Sequence, residues 1–257
     1  VSEASNLYGV GRTLAGDVFY QIDTTTAQPT PLFSFGNAGT AGIFGLTYNP
    51  VTNRFLTVQQ VNASQSILVE LDAVNQTASA IAHGIPTAFF EGIEYDSSLG
   101  GLVVSYGPGS SFSGKLALLD NSYALIANQP TTGIVDGDTL FVDGLGRLNV
   151  LDADDPSGAP PFQRNVITNP FGAISLATAG FSNPFITADK DAAWKSDENR
   201  LFLTRTNSLA YIVGPNNIFA IGSYGTNITG IAVAPVIPEP ASCVVVASAV
   251  LLAWRRR

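Results

Sequence analysis

Asp152, Asp154 and Asp155 crowd into the run Asp152-Ala153-Asp154-Asp155-Pro156-Ser157-Gly158. Carboxylates this close together can supply oxygens to calcium, a hard cation that takes roughly six to eight of them. The spacing is not that of an EF-hand loop, and an acidic turn closed by Pro and Gly uses the same residues. Calcium is the one cofactor the sequence brings into view.

A second acidic pair, Glu91 and Glu94, flanks Gly92. Two carboxylates are the equipment of glycoside hydrolysis, one acting as acid and the other as base or nucleophile. These two lie three residues apart on what reads as a strand, so alternation sends them to opposite faces. One of them at most faces a central channel, and Asp136, Asp138 or Asp191 would have to complete the site. His83, beside Gly84, is the only histidine. It is the one candidate base for a Ser-His-Asp arrangement, but no Gly-x-Ser-x-Gly elbow accompanies it. His83 therefore reads as a loop residue on the surface.

The elements that would position these groups come from an internal repeat of about 47 residues. Gly45-Leu46-Thr47-Tyr48-Asn49 returns as Gly92-Ile93-Glu94-Tyr95-Asp96, then as Thr139–Asp143, Asp191–Lys195 and Gly230–Ala234. In the first four copies a polar turn and an apolar strand follow, such as Phe55–Val58 and Leu102–Val104, which marks a hairpin. A third strand is expected over Val18–Asp23, Ile67–Asp72, Leu116–Asp120 and Ser208–Val213. A fourth, outer strand is expected over Ala78–Ala82 or Tyr123–Ala127. Four strands per repeat at this length read as a propeller blade. The chain enters at Leu7–Val10, which matches a second strand, and the body stops at Ile231–Ala234, which matches a first. Together they complete a composite blade and bury an edge that would otherwise be open. The expected fold is all-β: a β-propeller of about five four-stranded blades closed by both termini over residues 1–235. The repeat resembles irregular bacterial propellers with Tyr-Asp/Asn hairpins, a class that includes enzymes, lectins and scaffolds. Tyr48, Tyr95 and Trp194 hold one repeat position. They could stack on sugar rings, but recurrence at one position is what packing between blades demands.

Composition narrows the function classes. Charged residues are 12% of the 257, about half the usual share near 25%. Without residues 238–257 the body has 9 basic and 19 acidic side chains, a net charge of −10. That sign disfavours nucleic acid and anionic membrane surfaces as partners. The single cysteine, Cys243, lies outside the repeats, so no disulfide frames the body.

The last twenty-two residues have a different character. Pro238-Glu239-Pro240 precedes an apolar run, Ala241–Trp254, which ends in Arg255, Arg256 and Arg257. The prolines disfavour helix just before the run and hold Glu239 in extended backbone. The run has 14 residues, short of the roughly 20 a stable span needs and within the range of signal-type segments. The arginines act as a membrane stop on the cytoplasmic side. This order resembles the PEP-CTERM sorting signal of Gram-negative bacteria, over residues 236–257. The resemblance implies export, transient membrane insertion through a short C-terminal helix, and recognition of Pro238, Glu239 and Pro240 by an exosortase-type processing enzyme. It also implies a destination at the cell surface or in extracellular polysaccharide. Export requires a secretory signal, and Val1-Ser2-Glu3 has neither basic region nor apolar core, so that signal is expected upstream.

The expected protein is an exported, surface- or matrix-associated propeller acting as a binding or scaffold module. The competing expectation is an extracellular hydrolase of a sugar or lactone, with its site in the propeller channel.

Overall fold

The computed structural model describes residues 5–36, 42–62, 65–85, 89–107, 114–129, 139–152, 163–182, 189–205, 207–213 and 217–237. Twenty strands form five four-stranded antiparallel sheets. The first sheet is composite: β20 (Ile228–Pro235) is innermost, followed by β1 (Ser5–Thr13), β2 (Gly16–Ile22) and β3 (Pro29–Phe35). Blade two is β4 (Gly42–Asn49), β5 (Arg54–Asn62), β6 (Gln65–Asp72) and β7 (Thr77–Ile81). Blade three is β8 (Phe89–Asp96), β9 (Gly101–Gly107), β10 (Lys115–Leu119) and β11 (Leu125–Gln129). Blade four is β12 (Thr139–Val142), β13 (Leu148–Asp152), β14 (Gln163–Thr168) and β15 (Ser175–Ser182). Blade five is β16 (Asp189–Lys195), β17 (Arg200–Arg205), β18 (Ser208–Val213) and β19 (Asn217–Ser223). The propeller and its composite closing blade are as the repeat implied. The expected C-terminal helix, with Pro238, Glu239, Pro240 and Arg255–Arg257, lies outside the described residues.

The five innermost strands run in the same direction around the axis. Neighbours meet at the same or adjacent repeat positions: Thr229 with Ile43, Thr47 with Glu94, and Glu94 with Val142. The molecule therefore has a connection face, where inner strands begin, and a turn face, where they end in hairpins.

Packing follows from this arrangement. Each sheet meets a neighbour on both sides, so inner and second strands are buried on both faces and read as nearly continuous apolar runs. Every residue of β9 is buried, whereas on the rim β7 is largely exposed and β11 alternates between half-buried and exposed. The core is five clusters, each at one blade–blade junction. Leu56 and Leu68 of blade two meet Phe90 and Val104 of blade three. Tyr8 and Phe19 of blade one meet Phe55 of blade two, with ring centroids 5.0 and 4.9 Å from it. Phe202 of blade five packs with Leu7 and Ile228 of blade one. The remaining junctions join blade four to five through Phe141 and Leu203, and three to four through Leu116 and Val150.

The Asp or Asn ending each repeat strand has a local purpose. Asn49, Asp72, Asp96, Asp120 and Asp143 each accept two backbone N–H bonds from the turn that follows. These Asx turns replace ladder partners that end with the strand. The repeated Asn53-Arg54 and Asn199-Arg200 pairs have the same origin: both asparagines adopt left-handed backbone, at φ 56° and 54°. Tyr123 also sits at positive φ inside the Asp120 turn, so β11 begins two residues later than its apolar pattern implied.

Closure rests on the pairing of β1 with β20, from Ser5 opposite Pro235 to Gly11 opposite Ile228. The chain's exit is clasped as well. The Tyr8 hydroxyl donates to the Pro235 carbonyl at 3.3 Å and accepts the Ile237 N–H at 3.1 Å. A chain ending after Ile237 should unfold with a Tm within about two degrees of full length, because no described contact is removed. A chain ending after Asn227 exposes the β1 edge and should lose its cooperative calorimetric transition or aggregate.

Candidate functional site

Four of the five inner strands bulge near their beginning. The extra residue is Gly45 in β4, one of Glu91 and Gly92 in β8, Lys190 in β16 and Thr229 in β20. A bulge bends its strand and re-aims the groups beside it. Gly45 takes φ +57°, and a Cβ on Gly230 would stand 2.6 Å from the Gly45 backbone, so these strands approach where only glycine fits. The second strand supplies a hydroxyl at each of three bulges. Thr57 donates to the Gly45 carbonyl at 2.7 Å, Ser105 accepts the Gly92 N–H at 2.7 Å, and Thr204 donates to the Asp191 carbonyl at 3.5 Å. All three are fully buried.

The re-aimed groups converge on two acids. Asp191 accepts from the Ile231 N–H of β20 at 2.8 Å and from the Leu46 N–H of β4 at 2.9 Å, both on one carboxylate oxygen. Its other oxygen accepts the Ala192 N–H at 2.9 Å. Glu94 accepts from the Thr47 hydroxyl at 2.9 Å and from the Val142 N–H of β12 at 3.2 Å. Thr47 in turn accepts the Tyr95 N–H at 2.9 Å. Asp191 thus ties β16, β20 and β4, Glu94 ties β4, β8 and β12, and every inner strand is included. Asp191 reaches past its neighbour to the strand beyond, which places it across the axis.

The electrostatics match the geometry. Burial pushes Glu94 up to about 8, helped by the charges of Asp191 and Asp96 and opposed by its two hydrogen bonds. Burial pushes Asp191 well above the usual carboxylate range, against three backbone N–H donors. Asp191 is 2% exposed, whereas Glu94, with protein on all sides, keeps a narrow opening to solvent. Burial thus makes both acids easier to protonate in the folded ring than in the open chain.

The sequence-derived candidates divide accordingly. Glu94 and Asp191 are brought together. A bulge between Phe90 and Ile93 interrupts the period of two on which the alternation argument for Glu91 and Glu94 rests. Glu91 and Asp152 belong to β8 and β13, with side chains outside the described residues, as are Asp136, Asp138, Asp154 and Asp155 altogether. Among the described residues no three acidic, histidine or cysteine groups are placed to hold a metal ion. His83 is half-buried with its ring edge-on to Phe90 at 4.9 Å, and burial lowers its pKa. It is a packing residue rather than the surface loop residue its neighbours implied. Tyr48, Tyr95 and Trp194 pack between blades, the Trp194 ring lying against Gly144.

The sequence reading missed a groove on the rim. It has a volume of ≈ 520 Å³ and lies between the outer strands of blades one and two. Ser34, Thr77 and Ser79 offer hydroxyls and Gln76 an amide over an apolar floor of Ile67 and Val69, while the buried Gln59 amide is already bonded to Asp17 and to the Gly36 carbonyl, and no charged residue lines the groove. It extends from Gly36 at the connection face to Gln76 at the turn face.

No protein-family model and no curated protein sequence matches the chain. Solved structures do resemble it in shape. TolB from Acinetobacter baumannii superposes with a TM-score of 0.51 at 12% identity, over 90% of this chain and 55% of that one. This chain thus spans about half of TolB's length. Streptogramin B lyase gives a TM-score of 0.46 at 13% identity, covering 90% and 88%. The periplasmic gluconolactonase of Pseudomonas aeruginosa gives 0.45 at 13%, covering 91% and 69%. At these identities the likeness is one of fold.

Two outcomes test the axial pair. A carboxyl whose pKa rises on folding stabilises fully below its unfolded value, and the contribution is lost as pH climbs through the folded value. For Glu94 that window runs from 4.5 to about 8, and Asp191 acts in the same direction. Asp72, Asp143 and Asp197 have lowered pKa values, so their contribution is lost only at acid pH. The Tm should therefore peak on the mildly acidic side and fall by several degrees toward pH 8.5, and Glu94→Gln should flatten that fall. Asp191→Ala should destabilise at every pH, by about 1–3 kcal/mol for each backbone N–H left without a partner, measured by urea unfolding.

Proposed function

We propose that this protein is an exported, cell-surface or matrix-associated scaffold that binds extracellular polysaccharide, delivered through a PEP-CTERM signal and an exosortase-type processing enzyme. The rim groove is the observation that carries the binding reading. Hydroxyls and an amide over an apolar floor match the faces of a neutral sugar, and the absence of charge in its lining suits uncharged glycan better than peptide or nucleotide. Its run along the height of the rim fits a chain rather than a compact small molecule. The axial acids support the same reading. Both oxygens of Glu94 and of Asp191 accept hydrogen bonds from the ring's own strands, which is the work of acids that hold the inner strands together. A sugar or lactone hydrolase, the competing reading, would need one of them released. Export accords with the low charge of the body and with the residues that follow Ile237. No helix among the described residues is long and apolar enough to cross a membrane. In this reading membrane insertion belongs to residues 241–254.

The protein should retain exopolysaccharide from its own host on an affinity gel. Ser34→Trp and Ser79→Trp, both at exposed rim positions, should weaken retention about ten-fold with unchanged Tm. Retention unaffected by both would remove the groove from the reading. Lactone or glycoside turnover lost in Glu94→Gln would favour the hydrolase instead. Replacing Pro238, Glu239 and Pro240 with alanine should leave a membrane-held precursor on an immunoblot of fractionated cells.

A further inference from the structure

The exit of the chain and the distribution of exposed apolar side chains fall on the same face. We infer that the turn face of the propeller lies against the lipid bilayer while the C-terminal apolar segment is inserted. This rests on the reading of residues 241–254 as a membrane segment.

Three observations carry it. First, β20 ends on the turn face, and the Tyr8 hydroxyl fixes both Pro235 and Ile237 there. Pro238, Glu239 and Pro240 alone separate that clasp from the apolar run. Three extended residues span about 10 Å, so the ring has no room to turn its other face toward the membrane. Second, exposed aliphatic side chains gather on this face. Val51, Leu145 and Val236 surround the axis at 64%, 76% and 55% exposure, and Val74 and Val213 lie farther out at 36% and 47%. The connection face offers Leu14 among the described residues, and Ile126 and Phe219 belong to the rim. Side chains of this kind at turn tips enter the headgroup boundary with a gain that scales with the apolar area buried. Third, much of the charge between the tips is paired. Asp72 pairs with Arg54, Asp143 with Arg147 and Arg164, and Asp197 and Glu198 with Lys195 and Arg200. Asp23, Asp96 and Asp120 add carboxylates held by the N–H groups of their own turns, which suits a zwitterionic surface better than an anionic one. The rim groove stays open to the side in this orientation.

The test uses the full chain with Cys243→Ser, carrying a single NBD-labelled cysteine at position 51, 145 or 14, on phosphatidylcholine vesicles that contain bromolipids. Labels at 51 and 145 should shift to shorter wavelength and be quenched, and the label at 14 should stay solvated. The inference is overturned if the chain floats with the vesicles but the labels at 51 and 145 remain unquenched, or if the label at 14 is quenched as strongly. Failure to float at all would reject the membrane segment, and the orientation with it. Val51→Asp and Leu145→Asp together should lower the vesicle-bound fraction several-fold with an unchanged Tm. An unaltered fraction would show that the tail alone makes the contact.

Discussion

A ring of five sheets leaves five inner edges facing one another across an axis too narrow for ordinary strand pairing. Each edge carries backbone N–H groups that have left bulk water and must find partners. In this protein carboxyl groups supply several of those partners. Asp191 takes amides from three strands, and Glu94 takes a hydroxyl from one of these and an amide from a fourth. The bulges, the glycines that permit them and the buried second-strand hydroxyls form one arrangement whose product is the correct aim of those amides. The clusters between blades supply most of the apolar burial, but they would tolerate small rotations of one sheet against the next. Hydrogen bonds that cross the axis do not.

Burying two acids within reach of each other is costly, and the cost falls on their ionised forms. Protonation relieves it, at the expense of a dependence on pH that an apolar axis would lack. Such a centre resembles an active site in one respect, since perturbed carboxyls concentrate at catalytic positions. It differs in that each of these oxygens also holds a part of the ring together.

The repeat was legible because its markers are local. Asx turns, left-handed asparagines and the change from apolar inner strands to polar outer ones each act within a few residues, so pattern alone located the blades and the closing strand. The axis was harder to read. Glu94 and Asp191 are distant in sequence, and the period-two rule for side-chain direction does not survive a bulge. The glycines at Gly45, Gly92 and Gly230 were visible, but their lesson, that alternation restarts there, required the register. Thr57, Ser105 and Thr204 share a repeat position, and that recurrence could have revealed them. The rim groove had no linear signature, since its lining comes from strands of two separate blades.

The pairing of β1 with β20 also governs when the ring can exist. The two strands lie at opposite ends of the chain, and loop closure over that separation is among the slowest events a β-fold must complete. A polypeptide threaded through a narrow translocation pore with its N-terminus leading would hold the β1 edge unpaired until β20 emerged. Throughout that interval the nascent chain would present a sticky strand to its surroundings. Maturation would then be timed by the delivery of β20, the last strand of the ring.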